Sequence, residues 1–196
     1  MPESVTPLDI YFHVRVLIGV VVGLGVTRIL SGVARIVQHP GRNPLYGPHL
    51  VWVLVILTSI VHFWWWEFEL AHISPFRFQL FVFVLFYAFL FFLLASLLFP
   101  DDLSDYDGYE DYFLSRRRWF FGLFAATFVV DLADTLMKGR ARLVELGPEY
   151  EIKLAICIPL CLVAALTANR RFHLLFPVIY LVYYLSWILR VFDILG

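Results

Sequence analysis

The chain has 196 residues, of which 61% are hydrophobic and 16% charged, with a formal net charge of −1. A mean hydropathy of +0.81 departs from soluble domains, which carry about 45–50% apolar and about 25% charged residues, so lipid is the expected solvent. The near-zero charge offers no footing for nucleic acid, and the expected partner is the bilayer itself, at the plasma (inner) membrane.

The first hydrophobic segment, residues 10–36, follows an acidic start with Glu3 and Asp9 and no basic residue. A cleaved signal peptide needs a positive leading region, so this segment is expected to stay as a helix. Gly19 and Gly23 form a small-xxx-small pair and are expected to face another helix, because packing rather than hydrophobicity drives association in lipid. Arg15 lies near the start of this span and Arg28 near its far end.

Pro40, Gly41, Pro44, Gly47 and Pro48 then interrupt the helix. The second span, residues 50–70, ends in His62-Phe63-Trp64-Trp65-Trp66-Glu67-Phe68-Glu69-Leu70-Ala71-His72. Tryptophan is enriched at the depth of lipid headgroups, so Trp64, Trp65 and Trp66 are expected to anchor a membrane interface. The third span, residues 77–99, contains twenty residues (80–99) without a charge. That is the clearest transmembrane signal in the chain.

Residues 101–118 are expected to form a hydrophilic loop. Six acids there precede Arg116, Arg117 and Arg118, which with Trp119 are expected to anchor the other interface. Asp105 and Asp107 before Gly108 imitate part of a calcium loop, but Leu103 and Leu114 occupy positions that need oxygen ligands, so no metal is expected. The fourth span, residues 119–137, carries Asp131 and Asp134. The fifth, 152–168, contains Pro159, and the sixth, 172–189, follows the turn at Asn169. Cys157 and Cys161 read as small buried hydrophobes. Lysine and arginine are nearly balanced between the two sides, so orientation stays undetermined. The fold class is therefore all-α: a polytopic membrane protein, a six-transmembrane-helix bundle in one domain.

Charges inside a bilayer cost about 2.5–3.5 kcal/mol each on insertion scales, so they face protein or water and take partners. On a six-span path Arg15, Glu67, Glu69, Asp131, Asp134 and Arg190 fall in the half nearest the termini. At 100° per residue His62 and Glu69 align, whereas Glu67 points away from His62. Thr127, Asp131, Asp134 and Lys138 form one stripe of the fourth span, with Asp131 about 18 Å along the helix from Trp119. Two functions compete. In one, Asp131, Asp134 and Glu69, with His62 and Glu67, line a path in a channel-like or transporter-like protein for a cation or proton. In the other, Arg15 and Arg190 neutralise these carboxylates, and the chain is a non-catalytic accessory or scaffold subunit. A bundle of 22.9 kDa has a small interior, so a homo-oligomer or a larger membrane complex is expected in either case. No nucleophile motif, phosphate loop or paired haem histidines is present; the sequence calls for no cofactor and disfavours an enzyme.

Overall fold

A computed structural model describes residues 7–72 and 77–191. Six α-helices run in chain order: α1 (Pro7–Gln38), α2 (Gly47–Trp66), α3 (Phe78–Leu98), α4 (Tyr109–Lys138), α5 (Arg140–Leu166) and α6 (Arg170–Val191). A 3₁₀ turn, Glu67–His72, continues α2. No strand occurs among the described residues. Five helices are long and apolar enough to cross a membrane: α1 from Tyr11, α2, α3, α4 and α6. In α5, Glu149, Glu151 and Lys153 crowd the start of the apolar stretch.

The loop expected over residues 101–118 is shorter, because α4 starts at Tyr109 and already holds Arg116, Arg117, Arg118 and Trp119. Glu110 and Asp111 lie in its first turn, where carboxylates meet the positive end of the helix dipole. Tyr112 and Phe113 are buried there, so core packing holds a segment whose charge density reads as loop. In the remaining loop, the Ser104 hydroxyl and amide donate to Asp102 at 2.7 and 2.9 Å and hold its carboxyl below the usual carboxylate range.

Helix α2 occupies the middle, in contact with α1, α3, α4 and α6, while α5 leans on α4 and barely touches α6. The centre is an aromatic layer. Trp52 of α2 is wholly buried, with Phe120, Phe121, Phe124 and Phe176 edge-on around it at 5.1–5.4 Å and Tyr180 stacked at 6.2 Å. Edge-to-face pairs add about 0.5–1.5 kcal/mol beyond area burial. They join α2, α4 and α6 without a hydrophobic effect, which is absent between helices in lipid. The outside is apolar as well: Val16, Val20, Leu24, Phe86, Leu175 and Ile179 are all exposed, far more greasy surface than a protein in water presents.

Two glycines set the backbone. Gly147 adopts φ 69°, ψ 179° and breaks α5 just before Pro148, a conformation essentially reserved for glycine. Gly32 of α1 lies flat on the Phe99 ring, so close that any Cβ would overlap it. The small-residue pair expected to pack is a different matter. Gly23 has nothing within 4 Å of a would-be Cβ, and Gly19 meets only Trp64 Nε1 at 3.9 Å. The close approaches on α1 are made instead by Gly25, against Ile60 of α2 and Phe92 of α3, and by Gly32, against Phe99 just after α3.

Gly32→Ala is therefore expected to cost about 1–3 kcal/mol through overpacking, because Phe99 is fully buried and cannot withdraw. Gly23→Ala should stay within about 0.5 kcal/mol of the parent. Unfolding by sodium dodecyl sulfate in mixed micelles separates the two.

Candidate functional site: a buried ion cluster beside a small polar cavity

Helix α4 sets the site. Thr127, Asp131, Asp134, Thr135 and Lys138 recur at three- and four-residue spacing, which on an α-helix gives one face. That face turns inward, with Thr127, Asp134 and Thr135 at 4%, 0% and 0% exposure. Lys138 Nζ lies 2.6 Å from Asp134 Oδ2 and 3.3 Å from each Glu67 oxygen. The side chains of Lys138, Asp134 and Glu67 are 3%, 0% and 6% exposed. Trp66 Nε1 donates to Asp134 Oδ2 at 3.2 Å, and the Arg142 guanidinium lies over the Trp66 ring at 4.7 Å.

Asp131, one turn before Asp134, is held differently. Tyr150 of α5 donates its hydroxyl to Oδ2 at 2.9 Å, and Tyr87 of α3 donates to Oδ1 at 3.4 Å. Since the Tyr150 proton goes to Asp131, the Thr135 hydroxyl at 3.2 Å is the donor to Tyr150. The chain Thr135, Tyr150, Asp131 thus runs in one direction. Asp131 makes no ion pair among the described residues.

Asp131 borders a cavity of about 40 Å³ between α2, α3, α4, α5 and α6, whose wall also includes Ser59, His62, Thr127, Lys153 and Tyr184. A single water needs about 10–15 Å³, so the space holds a few waters and no larger solute. His62 Nδ1 and the Tyr184 hydroxyl are 2.9 Å apart. Trp52's aromatic layer, sharing Phe124 and Tyr180 with the cavity wall, lies on one side of it. The Lys138 cluster lies on the other, and Trp66 belongs to both the cavity wall and the cluster.

The sequence-expected residues divide clearly. Asp131, Asp134, Glu67 and His62 come together around the cavity and the ion cluster. Glu69 lies in the 3₁₀ turn, and its side chain, like that of His72, falls outside the described residues. Arg15 and Arg190 do not neutralise the carboxylates of α4. The Arg15 guanidinium stacks on Trp64 and Phe68 at 4.7 and 4.1 Å, and Arg190 grips Glu149 with two bonds of 2.7 and 2.8 Å. Lys138 takes the role assigned to them, since its own helix delivers it one turn from Asp134.

Trp66 is no interface anchor either. It is 5% exposed and serves as a hydrogen-bond donor in the cluster, whereas Trp65 and Trp119 are 36% and 68% exposed and Trp64 is half-buried. Arg116 donates to Tyr106, Arg117 to the Leu114 carbonyl, and Arg118 is exposed. At the opposite end of the bundle two buried histidines escaped the sequence reading. His49 Nε2 donates to the Leu98 carbonyl at 2.7 Å and His173 Nε2 to the Thr167 carbonyl at 2.9 Å. A carbonyl oxygen only accepts, so both carry the proton on Nε2. Their function there is to close helix ends, and only their proximity to Pro48 and Asn169 hinted at it.

No group of three or more metal-binding side chains is assembled among the described residues. No family model, curated protein or solved structure matches the chain, so function must be argued from the geometry.

Removing one partner of a buried ion pair strands the others. Lys138→Met is expected to cost about 3–5 kcal/mol, read by the same micellar unfolding, while Arg190→Gln, at an exposed pair, should leave the midpoint where it is.

Proposed function

We propose that the chain is a six-span membrane protein, α5 crossing with the other five helices, that moves protons, or a cation no larger than water, through its polar core. The observation that carries this reading is Asp131: an intramembrane carboxylate with two tyrosine hydroxyls, no ion pair among the described residues and a water-sized cavity beside it. Intramembrane acids that are not neutralised by a fixed partner are the usual parts of proton relays. Tyr150, Tyr87, Tyr184 and His62 around the same cavity can each give and accept a hydrogen, and a few waters can link them. A cavity this small, capped by the Trp52 layer, suits a relay that passes protons between side chains better than an open pore. Helix α5, broken at Gly147, measures about 28 Å from Pro148 to its end at 1.5 Å per residue. That matches a hydrocarbon core of about 30 Å.

An accessory or scaffold subunit is the second reading, favoured by Lys138. That ammonium is engaged by Asp134 and Glu67 together, an arrangement that fixes helix register whether or not anything moves. Assembly into a homo-oligomer or a larger complex is compatible with both.

The test is proton flux in proteoliposomes holding a trapped pH dye, driven by a potassium diffusion potential. The wild type should acidify the lumen and Asp131→Asn should slow this at least about tenfold, the loss expected for one proton-transfer group. Glu149→Gln, at the exposed pair, should conduct normally. A silent wild type, or an Asp131→Asn variant at full rate, favours the scaffold reading.

A further inference from the structure

The polar cavity has a second charged group in its wall. Among the described residues that line it, the charged side chains are Asp131 of α4 and Lys153 of α5. Lys153 is 6% exposed, and its Nζ lies over the Trp187 ring at 3.8 Å and the Tyr150 ring at 4.7 Å. Both rings belong to the same wall, so the ammonium is turned toward the cavity. Tyr150 joins the two charges: its ring lies under the Lys153 ammonium and its hydroxyl donates to Asp131 Oδ2 at 2.9 Å.

Neither charge has an opposite charge in direct contact. Asp131 accepts from two tyrosine hydroxyls, and Lys153 makes no hydrogen bond or ion pair among the described residues. Ring faces compensate only part of what burial takes from an ammonium, whose three protons call for acceptors. The other charges nearby are already taken. Asp134 and Glu67 hold Lys138, and Glu149, one turn before Lys153, is gripped by Arg190. That leaves Asp131 and Lys153 to balance each other across a space that holds a few waters. A water between them accepts from the ammonium and donates to the carboxylate.

This arrangement bears on what the path carries. By size, a metal ion no larger than water fits the cavity as well as water does. By ligands it is also provided for, since Asp131, Ser59, Thr127, Tyr87 and Tyr184 supply oxygens in the wall, and oxygens are what hard cations take. Charge makes the difference. With Lys153 present the acid and the ammonium cancel, and bridging waters turn their oxygens to Lys153 and their hydrogens to Asp131, the reverse of what a metal ion at Asp131 requires. A proton asks for no such rearrangement, because it moves along hydrogen bonds already made.

We propose that Lys153 is the counter-charge of Asp131 through cavity water, and that by neutralising the cavity it excludes metal cations and restricts the path to protons. The inference rests on the proton-or-cation reading above and narrows it to one of its two substrates.

Two measurements that need no flux test it. Binding of radioactive sodium to the purified protein, followed by scintillation proximity, should be absent in the wild type and in Lys153→Arg. Lys153→Met should acquire saturable sodium binding, at least about tenfold tighter than any shown by the wild type, because a unit charge a few ångströms from the carboxylate is gone. Adding Asp131→Asn to Lys153→Met should abolish it. In micellar unfolding that double variant should have a higher midpoint than Asp131→Asn alone, since it no longer strands the ammonium. Wild-type sodium binding that disappears in Asp131→Asn overturns the proposal even if Lys153→Met fails to fold. So does a folded Lys153→Met that binds no sodium, or a double variant no more stable than Asp131→Asn. Any of these results beside normal wild-type proton flux sinks this inference alone, whereas a wild type silent in the flux assay sinks the path itself and leaves the pairing to be read from unfolding.

Discussion

Where water is excluded, charges must satisfy one another, and in this bundle Lys138 does so for two helical segments at once. Its Nζ contacts Asp134 from its own helix and Glu67 from the turn that ends α2. Such a cluster stabilises little in net terms, because desolvation offsets most of the attraction. Its effect is on register: α4 cannot slide along α2 without exposing three buried charged groups to lipid. Trp66 adds to this, since its indole N–H reaches Asp134 only when α2 ends where it does.

The fixed register then sets up the neighbouring chemistry. One turn from Asp134, Asp131 receives hydroxyls from α3 and α5, and five helices meet around a cavity that none of them encloses alone. Above it the Trp52 layer joins α2, α4 and α6 by ring edges rather than by charge. Three kinds of contact therefore work at three depths. Ions hold the terminal end, hydroxyls the cavity and aromatic rings the centre. The far end is tied by Arg28 to Asp101 at 2.6 Å and Arg170 to Glu110 at 2.6 Å, together with the histidine-to-carbonyl bonds. Polarity in the interior is concentrated at the cavity and the cluster.

Much of this was legible in the residues. Runs of about twenty apolar side chains bounded by Pro and Gly give the helices, since lipid leaves the backbone no other way to bond. The stripe from Thr127 to Lys138 follows from helical spacing alone. What was not legible depends on geometry between helices. A rule of 100° per residue carried through Trp66 turns Glu67 away from His62, but the chain tightens to a 3₁₀ turn of about 120° per residue at Glu67, and Glu67 joins the Lys138 cluster. Composition cannot tell a wet tryptophan from a buried one, so Trp66 read as an anchor. Arg15 and Arg190 lie at the right depth for the α4 carboxylates but on the wrong faces, and depth was all that sequence supplied. The same limit applies to Gly19 and Gly23, a spacing that names a packing face without saying which way the helix is turned.

The central claim is that Lys138 couples Glu67 to α4 energetically and not merely by proximity. A double-mutant cycle of Lys138→Met and Glu67→Gln, read by unfolding in mixed micelles, tests it most directly. The account predicts a coupling energy of about 1–3 kcal/mol, as for buried partners in one network. Two losses that simply add, with coupling near zero, would contradict it.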